Sequence, residues 1–136
     1  MKGEQTMKYY YKALFAKEVD GGFTVTFPDV EEVVTYGETL EEAVAMAKEC
    51  LGMCLETREE EGIEIPRATE GNLECPRDCF FMLIEFDMIE YKRKYNKKSI
   101  RKNVTIPAWL NDLAEASNVN FSNVLQNALM KQLDIK

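Results

Sequence analysis

The 136-residue chain contains no histidine. This removes the side chain that most often acts as a general base near neutral pH, and with it the imidazole ligands of many zinc sites. No apolar run approaches the roughly 18 residues that cross a bilayer, so no membrane partner is expected. The opening MKGEQTM has no apolar core of the kind a secretory leader carries. We therefore expect a cytoplasmic protein whose ordered part begins near Met7. The four cysteines form two C-x3-C pairs, Cys50/Cys54 and Cys75/Cys79. Structural zinc knuckles use shorter spacings or partner histidines, and cysteines in a reducing compartment rarely pair. No metal and no cofactor are expected.

Positive charge is scarce in only one part of the chain. Residues 1–90 hold 8 Lys+Arg against 21 Asp+Glu, net −13, whereas residues 91–136 hold 9 against 3, net +6. Seven of those nine lie between Lys92 and Lys102, a stretch with no Asp or Glu. Such asymmetry implies two surfaces with opposite partners, a polyanion for the end of the chain and something basic for the rest.

Hydrophobic patterning divides the chain in the same way. KYYYKALFAK (8–17) runs into Asp20-Gly21-Gly22, a hairpin turn signal. FTVTF (23–27) alternates and stops at Pro28-Asp29, and VEEVVTY (30–36) makes a third strand. A long helix follows, opened by Thr39 with Glu42 three residues on, a capping box. Its apolar stripe is Leu40, Val44, Ala47, Leu51, Cys54 and Leu55, and Gly62 ends it. CFFMLIEFDM (79–88) is nearly all apolar, the composition of a strand buried on both faces. The order β-β-β-α-β predicts an α+β domain over residues 8–90, one sheet with one helix packed on it. Residues 91–99, within the polar and basic stretch IEYKRKYNKKS, read as a linker or an exposed strand end.

Residues 100–136 form a separate strand-helix-helix unit. IRKNVTI (100–106) alternates, and Pro107 suits the first helical position because its missing N–H costs nothing there. Trp109, Leu110, Leu113 and Ala114 give the first helix an apolar face. Asn118 can take the left-handed position that ends it, and Asn120 or Ser122 can cap the second helix. Phe121, Val124, Leu125, Ala128, Leu129 and Leu133 recur at helical spacing. Under 40 residues cannot bury a stable core alone, and a lone strand leaves its backbone polar groups unpaired. A second copy is the simplest remedy: two strands pair antiparallel about a two-fold axis and the helices interlock. Val104 and Ile106 then face inward with Trp109, Leu110, Leu113, Val124, Leu125 and Ala128 as the dimer core. Arg101, Asn103 and Thr105 face outward on a two-stranded ribbon of the kind that fits the DNA major groove. Lys97, Lys98 and Lys102 add attraction to phosphate. The second helix presents free N–H groups at Asn120, Ser122 and Asn123.

KSIRKNVTIPAWLNDLAEASNVNFSNVLQNAL resembles a ribbon-helix-helix DNA-binding domain. Ile106-Pro107 matches the Leu-Pro that opens that family's first helix. Asn120-Phe121-Ser122-Asn123 stands where Ser-Arg-Ser-x opens its second, so Asn-Phe replaces Ser-Arg. The resemblance carries the family's base-reading positions onto Arg101, Asn103 and Thr105. The first ninety residues resemble the HicB antitoxins. The likeness rests on Phe27-Pro28-Asp29, on Tyr36-Gly37-Glu38-Thr39-Leu40-Glu41-Glu42-Ala43 and on Gly62-Ile63-Glu64-Ile65-Pro66. Val30-Glu31-Glu32-Val33 departs from the common Leu-Pro-Gly-Cys. This resemblance implies a partial ribonuclease-H-like body that binds and masks a HicA-type mRNA-cleaving toxin, and a tail that represses its own operon on operator double-stranded DNA as a homodimer or higher oligomer. The net charge of −13 in residues 1–90 suits a basic, RNA-binding partner independently of the resemblance.

The chain reads as a non-enzyme. A metal-dependent nuclease needs converging carboxylates. Asp20, Asp29, Glu31, Glu85 and Asp87 are available, but two sit at turn signals and nothing in the sequence gathers the rest. Ser99, Ser117 and Ser122 have no base nearby. A metal-dependent nuclease and a plain dimeric repressor with a ligand-binding body stay open as alternatives.

Overall fold

The structure is a computed structural model that describes residues 7–135. Three strands come first: β1 (Lys8–Lys17), β2 (Phe23–Phe27) and β3 (Val30–Gly37). Helix α1 (Leu40–Glu60), strand β4 (Cys79–Asp87) and helix α2 (Met88–Tyr95) follow, then α3 (Ala108–Ala116) and α4 (Phe121–Gln132). The chain divides into two compact units, a body over Met7–Lys97 and a tail unit that begins at Lys98.

In the body the four strands form one antiparallel sheet in the order β3-β2-β1-β4. The turns are the ones their residues dictate. Glu18 N–H donates to the Gly22 carbonyl at 2.8 Å, and Gly21 has φ +97°, which glycine adopts without strain. Helix α1 covers one face of the sheet. Tyr11, Ala13, Phe15, Val25, Phe27, Val30, Ile84 and Phe86 bury there against Ala43, Ala47, Leu51 and Leu55. The helix ends follow sequence chemistry. Thr39 Oγ1 accepts from Glu42 N at 3.1 Å, while the Glu42 carboxylate returns to Glu38 N, one residue further back than a standard capping box. At the far end Gly62 has φ +73°, Gly62 N donates to Glu59 O and Ile63 N to Arg58 O, a Schellman arrangement. Leu40 is exposed rather than part of the stripe, and Ala43 takes its place.

Two expectations for the body are overturned. Strand β4 is not buried on both faces: it lies at the edge of the sheet, and only Ile84 and Phe86 within it are buried. Residues 88–95 are a helix, not a linker or a strand end. Asp87 caps that helix, its Oδ1 accepting from Ile89 N at 3.0 Å and Glu90 N at 3.2 Å. Met88 and Tyr91 face the core, and the Tyr91 ring lies 5.7 Å from that of Phe86 and 4.8 Å from that of Tyr95.

Helix α2 can dock because residue 52 is glycine. A Cβ there would lie 2.3 Å from Tyr91 Cε1. We expect Gly52→Ala to destabilise the body by about 1–3 kcal/mol through overpacking. The pair Gly52→Ala/Tyr91→Ala should cost clearly less than the sum of the two single changes, a coupling that denaturant titrations of the four proteins would read.

The tail unit keeps its predicted helices with one shift. Pro107 is the cap of α3, extended at φ −60° and ψ 143°, and not its first helical residue. Asn118 is left-handed at φ 57°, as expected, and Asn120 rather than Ser122 caps α4, accepting from Asn123 N at 3.0 Å. Residues 100–106 form no strand in the single chain, because a ladder needs a neighbour and this unit has none to offer.

Candidate functional site

The tail unit has no buried side chain among its described residues. Val104 is 68% exposed and Trp109 64%, and Leu110, Leu113, Val124 and Ala128 are also exposed, with Ile106 near 38% and Leu125 intermediate. No residue expected in a dimer core is thus buried in the isolated chain. The expected DNA contacts are equally accessible: Lys98, Arg101, Lys102, Asn103, Thr105, Asn120, Ser122 and Asn123 are all exposed. Some of them meet. Arg101 and Lys102 border an open cleft of about 610 Å³ with Ser122, Leu125, Gln126 and Leu129 of α4. The Asn120 side chain is committed to its own helix cap. What it leaves at the α4 N-terminus are backbone N–H groups, the anion-binding feature of any helix start.

The basic run does not belong wholly to this unit. Lys92, Arg93, Lys94 and Lys97 lie in the body, and only Lys98, Arg101 and Lys102 lie in the tail. Lys92 pairs with Glu59 of α1, and Lys97 Nζ donates to Arg93 O at 3.0 Å. Counted by unit, Met7–Lys97 holds 11 basic and 20 acidic residues, net −9, and 98–136 holds 5 and 3, net +2. The opposition of charge survives this division, at smaller size.

The body's carboxylates have other work. Asp20 accepts from Gly22 N at 2.9 Å and from the Tyr36 hydroxyl at 2.8 Å. These bonds hold the Asp20 carboxyl below its usual range, and Asp20 pushes the Tyr36 phenol up to about 12. Asp29 accepts from Thr69 N at 2.8 Å and from the Thr69 hydroxyl. Glu32 accepts from Arg58 Nε at 2.7 Å, tying β3 to α1. Glu85 accepts from the Tyr10 hydroxyl at 3.0 Å and pairs with Lys8 at 3.4 Å, so its carboxyl is held below the usual range. Among the described residues no three metal-ligating side chains converge. The four cysteines are free. Burial raises the Cys54 thiol, and Cys75 Sγ donates to the Cys79 carbonyl at 3.2 Å. Because Asp87 acts as a helix cap, Asp87→Ala should cost about 1 kcal/mol of stability in thermal or denaturant melts.

The model of the HicB-like antitoxins of bacterial toxin–antitoxin systems matches residues 11–129, through both units. The chain belongs to this family. It is 30% identical over 111 residues to antitoxin HicB 2 of Photorhabdus laumondii, covering 79% of this chain and 80% of that protein. It is also 30% identical over 98 residues to an uncharacterised 14.9 kDa protein of Haemophilus phage HP1, covering 69% and 71%. Among solved structures, a toxin–antitoxin complex from Streptococcus pneumoniae contains a chain 26% identical, with a TM-score of 0.56, covering 93% of this chain and 99% of that one.

Membership explains which motifs carried the resemblance. Phe27-Pro28-Asp29 makes the tight connection that pairs Phe27 with Val30, and Gly37 lets α1 start against the sheet, its missing Cβ facing Ala43 backbone atoms. Sequence reasoning missed α2 in this antitoxin-family body. The signal was present: Asp87 with Glu90 three residues on, then Met88, Tyr91 and Tyr95 on one helical face. The basic residues between them hid the pattern.

Proposed function

We propose that this antitoxin-family chain neutralises a HicA-type mRNA-cleaving ribonuclease toxin through its body and represses its own operon through its tail. It acts as a non-enzymatic inhibitor and repressor in the cytoplasm. The observation that carries the tail reading is the uncovered apolar side of residues 104–128, from Val104 and Trp109 to Val124 and Ala128. A second copy would cover it by pairing the two 100–106 segments into a ribbon. That pairing would place Arg101, Asn103 and Thr105 on the outer face, where Arg suits guanine O6/N7, Asn suits adenine N6/N7 and Thr either a polar edge or a thymine methyl. Lys98 and Lys102 would approach phosphates beside the α4 N-terminus with Ser122 and Asn123.

Family membership and a body charge of −9, from 11 basic and 20 acidic residues, support the toxin reading. Helix α1 alone carries Glu41, Glu42, Glu49, Glu56, Glu59 and Glu60 against Lys48 and Arg58. Such a surface attracts a basic RNA-binding protein at long range. The full chain should co-purify with a HicA-type toxin and suppress its RNA cleavage. The association rate should fall steeply as salt rises. Failure to form a complex even at low salt would sink the assignment.

A further inference from the structure

We propose that Cys75 and Cys79 are an oxidation site, at which peroxide joins the two thiols into a disulfide that clamps the turn into β4. The chain holds two C-x3-C pairs of identical spacing, and the fold gives them opposite capacities. Cys50 and Cys54 stand one turn apart on α1. On a helix, side chains four positions apart keep their Cβ atoms roughly 5–6 Å from each other. A disulfide needs them at about 3.5–4.5 Å, so α1 would have to unwind before that pair could join. Cys54 is also engaged, its Sγ lying 3.3 Å from Glu32 Oε2, and both thiols of the pair are half-buried.

No helix separates Cys75 from Cys79. Arg77 and Asp78 form a turn, and Asp78 is left-handed at φ +62°, a region Asp enters more readily than most residues. The turn folds Cys75 back onto Cys79, so that the Cys75 sulfur already rests 3.2 Å from the Cys79 carbonyl oxygen. The far side of the turn is anchored. Cys79 opens β4 opposite Ala16, and Lys17 N donates to Asp78 O at 3.4 Å. Cys75 is exposed at the end of the long loop that follows α1, and Cys79 is half-buried. An oxidant therefore meets Cys75 first. Closure asks for a rotation of the Cys75 side chain from the Cys79 carbonyl to the Cys79 sulfur.

The chemistry balances with hydrogen peroxide as the oxidant. The Cys75 thiolate attacks one peroxide oxygen, the O–O bond breaks, and hydroxide leaves as water with the thiol's proton. Cys75 is then a sulfenic acid. The Cys79 thiolate attacks its sulfur, the S–S bond forms, the S–O bond breaks, and a second water leaves. The two thiols lose two electrons and two protons, and the peroxide takes up both. In a reducing compartment the pair rests as thiols, and exchange with a thiol reductant reopens the bridge.

The test treats the reduced full chain with hydrogen peroxide, alkylates the remaining thiols in denaturant and digests with trypsin. Trypsin cuts after Arg77, between the two cysteines. Mass spectrometry should find fragments 68–77 and 78–92 joined through sulfur, and dithiothreitol should part them. Cys50 and Cys54 should carry the alkyl label throughout. The oxidised chain should melt several degrees above the reduced one, because a turn already folded accepts the bridge without strain. Cys75→Ser should show neither the joined fragments nor the shift. Four alkylated thiols after peroxide, a bridge within α1 or between two chains, or an oxidised chain that melts no higher overturns the proposal. So does Cys75 that advances to sulfinic acid while Cys79 stays alkylated, which would make it a single reactive thiol.

Discussion

Reversing the charge at Arg101 and Lys102 together, as R101E/K102E, should lower operator affinity at least about a hundredfold and leave toxin neutralisation intact. The size follows from symmetry. An Arg that reads a guanine contributes about 1–3 kcal/mol, and a two-fold dimer presents it twice, with each 1.4 kcal/mol worth tenfold. Reversal adds repulsion from phosphate to the lost contacts. Both residues are exposed beside α4 and lie outside the body unit, so its core and acidic helix are untouched. Fluorescence anisotropy on operator DNA at several salt concentrations separates the two roles. Lys102→Ala should lower the salt slope by about 0.9 per lost phosphate contact. Asn103→Ala should relax base preference with the slope nearly unchanged. A double variant that kept full operator affinity and lost toxin binding would reverse the assignment of the two units.

Gly37→Ala should be the most destabilising single-methyl change in the body, at roughly 3 kcal/mol or more, in the tail of mutational effects that follow core overpacking. A Cβ at position 37 would lie 2.3 Å from Ala43 N and 2.5 Å from Ala43 Cα. These are backbone atoms, and they cannot rotate away as a side chain could. Nor can the helix start retreat easily, because Thr39 and Glu42 bond its first turn to residues 38 and 39, immediately after position 37. The outcome to look for is a large fall in melting temperature with loss of toxin binding, while the tail, built from a different segment, still binds operator DNA. Gly21→Ala is the control. Nothing lies within 4 Å of a Cβ there, so only the strain of φ +97° opposes it, at about 1 kcal/mol. If Gly37→Ala melted no lower than Gly21→Ala, the close approach of α1 to the sheet would be wrong.

The features legible from sequence are those whose cause lies within a few residues. The turn at Asp20-Gly21-Gly22, the Thr39 cap, the Gly62 stop, the left-handed Asn118 and the Asn120 cap all depend on neighbours no more than about four positions away. The residues 8–17, 23–27 and 30–36 form strands for the same reason, since alternation and turn chemistry agree. Candidate tail residues were found because a polar face and an apolar face alternate on one short segment. Their proposed partner is a second chain, and in the single chain residues 100–106 form no ladder.

The misreadings share a physical origin. The composition of β4 is that of a buried strand, and composition reports how much apolar surface must be covered, not what covers it. Whether a strand is central or at an edge is fixed by strand order, through contacts such as Tyr10 with Glu85, 75 positions apart. The basic residues of α2 looked like linker because charge dominates a short segment. Only packing of Tyr91 onto Gly52 makes it a helix of the body and draws Lys92 to Glu59 rather than to nucleic acid. The sequence by itself determined the order of elements, their caps and the opposition of charge along the chain, because these are local or additive. Tertiary structure alone decided which basic residues stay with the tail and which apolar edge is left open, because both depend on surfaces brought together from distant parts of the chain.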